Sequence, residues 1–193
     1  MTDADKIISI AIALRDHFAE SGIDAVRSIA SKWPRSSVVA VAETPATLPV
    51  TGWLNDASQG PAINDLRDIA SALHWQQTYT ATDIGAPFLE RYGWTMLVGP
   101  DAPIKSDAIL AGILILGPDI EYPVHRHSAE EAYVILSGTA SWSIGNSDWH
   151  QKSAGEVIHN PPWQPHGMCT DCGEPLVLGF LWNAGAVEKS QID

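Results

Sequence analysis

Ile7, Ile10, Leu14 and Phe18 recur at the spacing of one helical face near the start of the chain. Asp3 stands where it can cap that helix, and Gly22 supplies its stop. Val26, Ile29, Ala30 and Trp33 repeat the pattern from Asp24 onward, until Pro34, which lacks the amide donor a helix needs. A third helix is predicted over 64–73, with Leu66, Ile69 and Leu73 on its apolar side. Between the second and third, the Pro-, Gly- and Thr-rich stretch 43–61 reads as connection.

After His74 the period changes. Short runs rich in Val, Ile, Leu, Trp and Tyr are punctuated by Gly, Pro, Asn and Asp at intervals of roughly ten residues. Strands are predicted over 75–80, 92–98, 108–116, 132–136, 140–144, 156–159 and 176–182. Many short strands with no helix between them specify an antiparallel sandwich or barrel. The expected organisation is mainly β, with a helical N-terminal extension over 1–74 packing on a barrel over 75–193.

Composition narrows the partners. Of 193 residues, 45% are apolar and 18% charged, enough for a packed core and unlike a disordered chain. The formal net charge is −12, and the 11 Lys and Arg residues are scattered, which argues against nucleic acid or an anionic membrane. The apolar stretch near the N-terminus is preceded by acidic residues and interrupted by Arg15 and Asp16, so neither a signal peptide nor a membrane span is expected. A cytoplasmic, reduced setting follows, in which Cys169 and Cys172 are ordinary thiols.

The densest chemical signal is the run from His125 to Tyr133, with His127 and Glu131 inside it. Residues 125, 127, 131 and 133 share one parity, so an extended segment would point them to one side. Two imidazoles and a carboxylate converging on one point make most of a site for a borderline divalent cation. A further ligand is expected from the proline-rich segment 155–166, where His166 and His159 compete.

The spacing His125-x-His127-x3-Glu131-x6-Gly138 resembles the first motif of the cupin superfamily, and Gly155-x5-Pro161 followed by His166 is similar to its second. The resemblance implies a jelly-roll barrel holding one divalent metal ion, Zn, Fe(II) or Mn(II), through His125, His127, Glu131 and His166. Gly117 lies two residues further upstream of His125 than that pattern expects, and Trp163 and Thr170 replace its usual Gly and Asn.

Tyr133 two residues after Glu131, Tyr122 three before His125, the helical N-terminus and the chain length together resemble the bacterial cupin-type dimethylsulfoniopropionate (DMSP) lyases, in particular the DddQ branch. That resemblance implies a β-elimination releasing dimethyl sulfide and acrylate, with Tyr133 as base and Tyr122 orienting or assisting. Aromatic faces attract a sulfonium cation, and Trp182, Tyr122 and Trp163 are the candidates for that wall. A homodimer is compatible with such a chain. A cupin dioxygenase using Fe(II), or a non-catalytic cupin that binds a small ligand, are the alternative readings.

Overall fold

The computed structural model describes residues 1–35, 44–145, 147–183 and 190–193, so Glu43, the first residue of the expected connection, lies outside the described residues. Helix α1 (Asp3–Ala19) is capped by Thr2 rather than Asp3: the Thr2 side chain accepts from the Asp5 amide while the Asp5 carboxylate accepts from the Thr2 amide. Helix α2 (Asp24–Ala30) stops four residues short of Pro34, and Trp33 packs on the core beyond it. Helix α3 (Pro61–Ile69) starts three residues earlier than expected because Pro61 occupies its first turn, where the missing amide costs nothing. Its predicted end is a separate 3-10 turn, Ala70–Ala72, and another, Pro49–Asn55, lies in the connection.

Two sheets follow. The first contains, in spatial order, β1 (Trp75–Gln76), β2 (Tyr92–Gly99), β4 (Ile109–Leu116), β11 (Leu176–Asn183), β6 (Glu131–Ser137) and β9 (Val157–Asn160), with β3 (Ile104–Lys105) paired parallel to β2. The second runs β12 (Gln191–Ile192), β5 (Glu121–Arg126), β10 (His166–Thr170), β7 (Thr139–Ile144) and β8 (His150–Ser153). All the other strand pairs are antiparallel.

The strand predicted over 75–80 shrinks to two residues. Gln77 explains why: its side-chain amide donates to the carbonyls of Leu89 and Tyr92, folding the chain back over the sheet. Two one-turn helices, α4 (Ala81–Ile84) and α5 (Ala86–Leu89), then interrupt a region expected to hold only strands.

Strand β4 reads ILAGILIL and is buried along its whole length. Such an uninterrupted apolar run needs cover on both sides. One face, with Ala111, Ile113 and Ile115, packs with Leu14, Phe18 and Leu66 of the helices. The other, with Leu114 and Leu116, packs between the sheets with Tyr92, Trp142, Met168 and Leu178. The second of these layers encloses the candidate site.

Candidate metal centre and cavity

The residues that parity groups do come together, but by a different route. His125 lies on β5 in the second sheet, whereas Glu131 and Tyr133 lie on β6 in the first; the chain crosses between facing sheets through residues 127–130. His166 begins β10, directly opposite His125. The β5–β10 register slips between His166 and Met168, so Tyr122 faces Met168. This bulge gives β5 one extra residue and turns Tyr122, three positions from His125, to the same inner side, which strict alternation forbids.

His125, His127 and His166 are all buried, and their ligand atoms lie within 4.8 Å of one another. Each ring is held from behind through Nδ1: His125 to the Pro123 carbonyl at 2.8 Å, His127 to that of Ala129 at 2.9 Å, and His166 to that of Gln164 at 2.8 Å. With Nδ1 donating to a carbonyl, each Nε2 carries its lone pair inward. The Nε2 atoms of His127 and His166 are buried and have no hydrogen-bond partner. Orphaned buried acceptors are costly unless something binds them. The donor set suits a divalent cation. His159, the competing candidate, is turned away and pairs with Glu130 at 3.0 Å.

Glu131 completes the cluster. Its Oε2 lies 3.4 Å from His127 Nε2 and 3.2 Å from His166 Nε2. Pairing across the sheet sets Trp182 and Asn160 on the two strands beside it, in one row. Trp182 donates its indole N–H to Oε1, and Asn160 donates its amide to Oε2 at 2.9 Å. Burial opposes ionisation of Glu131, but His127 and His166 outweigh it and hold the carboxyl well below the usual range. Burial likewise disfavours charge on His127, yet Glu131 raises it above the usual imidazole value. His125 is pushed down to about 3, by burial first and then by neighbouring His166.

The cluster opens into a cavity of about 260 Å³. His125, Glu131, Tyr122, Tyr133 and Trp182 form one part of its wall, and Trp94, Met96, Leu110, Leu114 and Phe180 an apolar part. Tyr122 stacks on His125, ring centroids 4.3 Å apart, and donates its hydroxyl to Tyr79 at 3.2 Å. Trp182 stacks on His127 at 4.7 Å. Burial pushes both Tyr122 and Tyr133 well above the ordinary phenol value; for Tyr133 the Glu131 charge adds to it, and for Tyr122 the neighbouring Tyr92 and Tyr79.

Trp163, expected in the sulfonium wall, is not among the residues lining this cavity: it is 47% exposed. Its backbone carries the structural content of the position. Trp163 adopts φ 62, the left-handed region that glycine favours, and its amide donates to the His127 carbonyl at 2.8 Å. The turn that the motif's usual glycine would make is kept with a bulky residue. Thr170, the other departure, ties the end of β10 to the loop between β4 and β5 by donating to the Gly117 carbonyl at 2.9 Å.

Sequence reasoning did not single out Tyr79, Trp94, Met96, Phe180 or Asn160. Asn160 was within reach, since it pairs with Glu131 as soon as β6 and β9 are placed side by side. The others needed the sheet order, which no local pattern states.

The profile of the dimethylsulfoniopropionate lyase family matches residues 25–178. The chain belongs to this family. It is 31% identical over 132 residues to the DMSP lyase DddQ of Ruegeria pomeroyi, covering 68% of this chain, and 26% identical over 155 residues to a putative DMSP lyase, DddL, of Cereibacter sphaeroides. The matched regions span 65% and 64% of those two relatives. A chain from the crystal structures of the DMSP lyases RdDddP and RnDddQII superposes with a TM-score of 0.83 at 26% identity, covering 99% of this chain and 97% of that one. A cupin-2 domain from Rhodospirillum rubrum superposes over 63% of the chain with a TM-score of 0.52 at 17% identity, and so shares the fold.

Proposed function

We propose that this chain cleaves dimethylsulfoniopropionate to dimethyl sulfide and acrylate by β-elimination, with one divalent ion held by His125, His127, Glu131 and His166. The observation that carries this reading is a cavity in which inward imidazoles, a carboxylate and two phenols face an aromatic, apolar wall. A zwitterion with a carboxylate at one end and a soft sulfonium at the other matches both parts.

A bound divalent cation would supply Lewis-acid charge, which favours a substrate carboxylate and an ionised phenol at this spot. The remaining chemistry belongs to side chains. Tyr133 removes the proton from the carbon beside the carboxylate, the C–S bond breaks, and its electron pair leaves on sulfur as neutral dimethyl sulfide. Tyr122, fixed by the His125 ring and by Tyr79, orients the substrate. Burial alone keeps both phenols protonated at neutral pH, so their use as bases depends on that added positive charge. Trp182, Trp94 and Phe180 line the cavity and supply the aromatic surface for the sulfonium, each such contact worth about 0.5–2 kcal/mol. Dry surroundings strengthen these interactions.

Proton NMR of the metal-loaded protein with DMSP tests the reading. Acrylate and dimethyl sulfide are expected in equal amounts, at the same rate with and without oxygen. Oxygen-dependent products would replace the lyase with a dioxygenase, and an unchanged substrate spectrum would leave only a binding role.

A further inference from the structure

A second cavity of about 300 Å³ adjoins the first, and Trp94, Met96 and Leu110 line both. Its other walls include His74, Gln76, Asp101 and Ala102. We propose that these three shared side chains are a partition that sets the size of the alkyl groups accepted on sulfur, with the second cavity as the space they deny. The inference rests on the lyase reading and extends it to a specificity determinant.

Strand register places the partition at the far end from the ligand carboxylate. Leu110, Trp182, Glu131 and Asn160 lie in one row across β4, β11, β6 and β9. Met96, Gly112, Phe180 and Tyr133 form the next. Neighbouring strands stand roughly 5 Å apart. Leu110 is therefore two strands from Glu131, and Met96 three strands from Tyr133, on the order of 10–15 Å. A substrate whose carboxylate sits at the histidine cluster directs its sulfonium toward these residues.

Met96 faces the cavity by alternation with Tyr92 and Trp94 along β2, and the strand's bulge comes only after it. Met96 pairs with Gly112 and Val98 with Ala111, so Leu97 is the extra residue and both Leu97 and Val98 lie in the helix-side core, which makes Met96 the last residue of β2 to face the cavity. The partition is also backed closely. A Cβ at Gly99 would stand 3.2 Å from Leu110 Cδ2 and 3.3 Å from Met96 Cγ, so the glycine leaves both side chains room to rest against β2.

Trimming the wall should admit larger groups, and a methylene in an apolar pocket is worth roughly tenfold or more in discrimination. Leu110→Ala and Met96→Ala are compared with the unmodified, metal-loaded protein on DMSP and its diethyl homologue. In parallel, tryptophan fluorescence reports binding of trimethylsulfonium and triethylsulfonium, which lack a carboxylate and cannot react. The expected result is a shift of both ratios toward the ethyl compounds by about tenfold. Gly99→Ala, which pushes Leu110 and Met96 inward, should shift both ratios the other way, and it decides the matter if the alanine variants do not fold. Turnover with ratios that stay fixed in folded variants would overturn the partition while leaving the lyase intact. Moving binding ratios without any turnover would uphold the partition and sink the lyase reading. Absence of both turnover and sulfonium binding would overturn both.

Discussion

Glu131 is held by the Trp182 indole N–H and the Asn160 amide, with its Oε2 turned toward the His127 and His166 Nε2 atoms at 3.4 and 3.2 Å. A carboxylate fixed in this way is ready to ligate without reorganising, and groups that orient a ligand typically matter by 10–100-fold in metal affinity. Asn160→Leu removes the Oε2 donor while keeping similar bulk. Metal titration of that variant should show affinity weaker by about tenfold or more; affinity equal to the parent would mean the amide does not position the ligand. The histidines carry a pH signature of their own in the metal-free protein. His125 takes up a proton near 6.5 when unfolded but only at about 3 in the fold. Between those values the unfolded chain binds more protons, so acidification across this window lowers stability. His127 acts oppositely, since Glu131 overcomes its burial: its contribution is full below the ordinary imidazole value and is lost as pH rises through its raised one. Glu131 contributes above the ordinary carboxylate value and loses that contribution as pH falls through its depressed one. Melting of the metal-free protein from pH about 6.5 to about 4.5 should therefore fall less steeply in His125→Gln than in the parent, and parallel curves would remove His125 as the cause.

At the scale of elements, the site is a product of register. Phe180 lies over Gly112 on the neighbouring strand, where an added Cβ would stand 2.7 Å from the Phe180 ring and 2.0 Å from the Thr95 carbonyl. The backbone contact cannot be relieved by a rotamer change. Gly112→Ala should destabilise by about 3 kcal/mol or more, measured by chemical unfolding, because overpacking that moves backbone exceeds the common range; a change within about 0.5 kcal/mol would contradict the close packing of β2, β4 and β11. Local patterns announced β1, β2, β4, β6, β7, β9 and β11, while β3, β5, β8, β10 and β12 lay outside the predicted ranges, β5 and β10 being the strands that carry His125 and His166. The run ILAGILIL declared β4, and the short apolar runs of β6 and β11 declared theirs. What they could not announce was where a strand stops for a non-local reason. Residues 77–80 read as strand until Gln77 is seen tying the chain to Leu89 and Tyr92. The bulge that turns Tyr122 inward is equally a matter of pairing, not of composition.

For the whole molecule, the division of labour is between two apolar layers. One joins the helices to the outer face of the first sheet, with Ala132 and Val134 in it, and the other lies between the sheets. Alternation along β6 serves both, sending Glu131 and Tyr133 to the cavity and Ala132 and Val134 to the helices. That His125, His127, Glu131 and His166 would cluster was legible in the sequence, because the motif fixes their types and spacing. The wall facing them was not, since Trp94, Met96, Leu110 and Phe180 come from three strands whose order is set only by folding. Among the described residues no helix is long and apolar enough to cross a membrane. Cys169 is half-buried and Cys172 exposed, both as free thiols.

The proposed elimination requires Tyr133 to take a proton beside a metal-held carboxylate. Headspace dimethyl sulfide from metal-loaded Tyr133→Phe, set against the parent at equal metal content, measures this directly. If the elimination runs through Tyr133, the rate falls by about a hundredfold or more, the range for removing a positioned base. Release at near the parental rate, with the ion still bound, would contradict it.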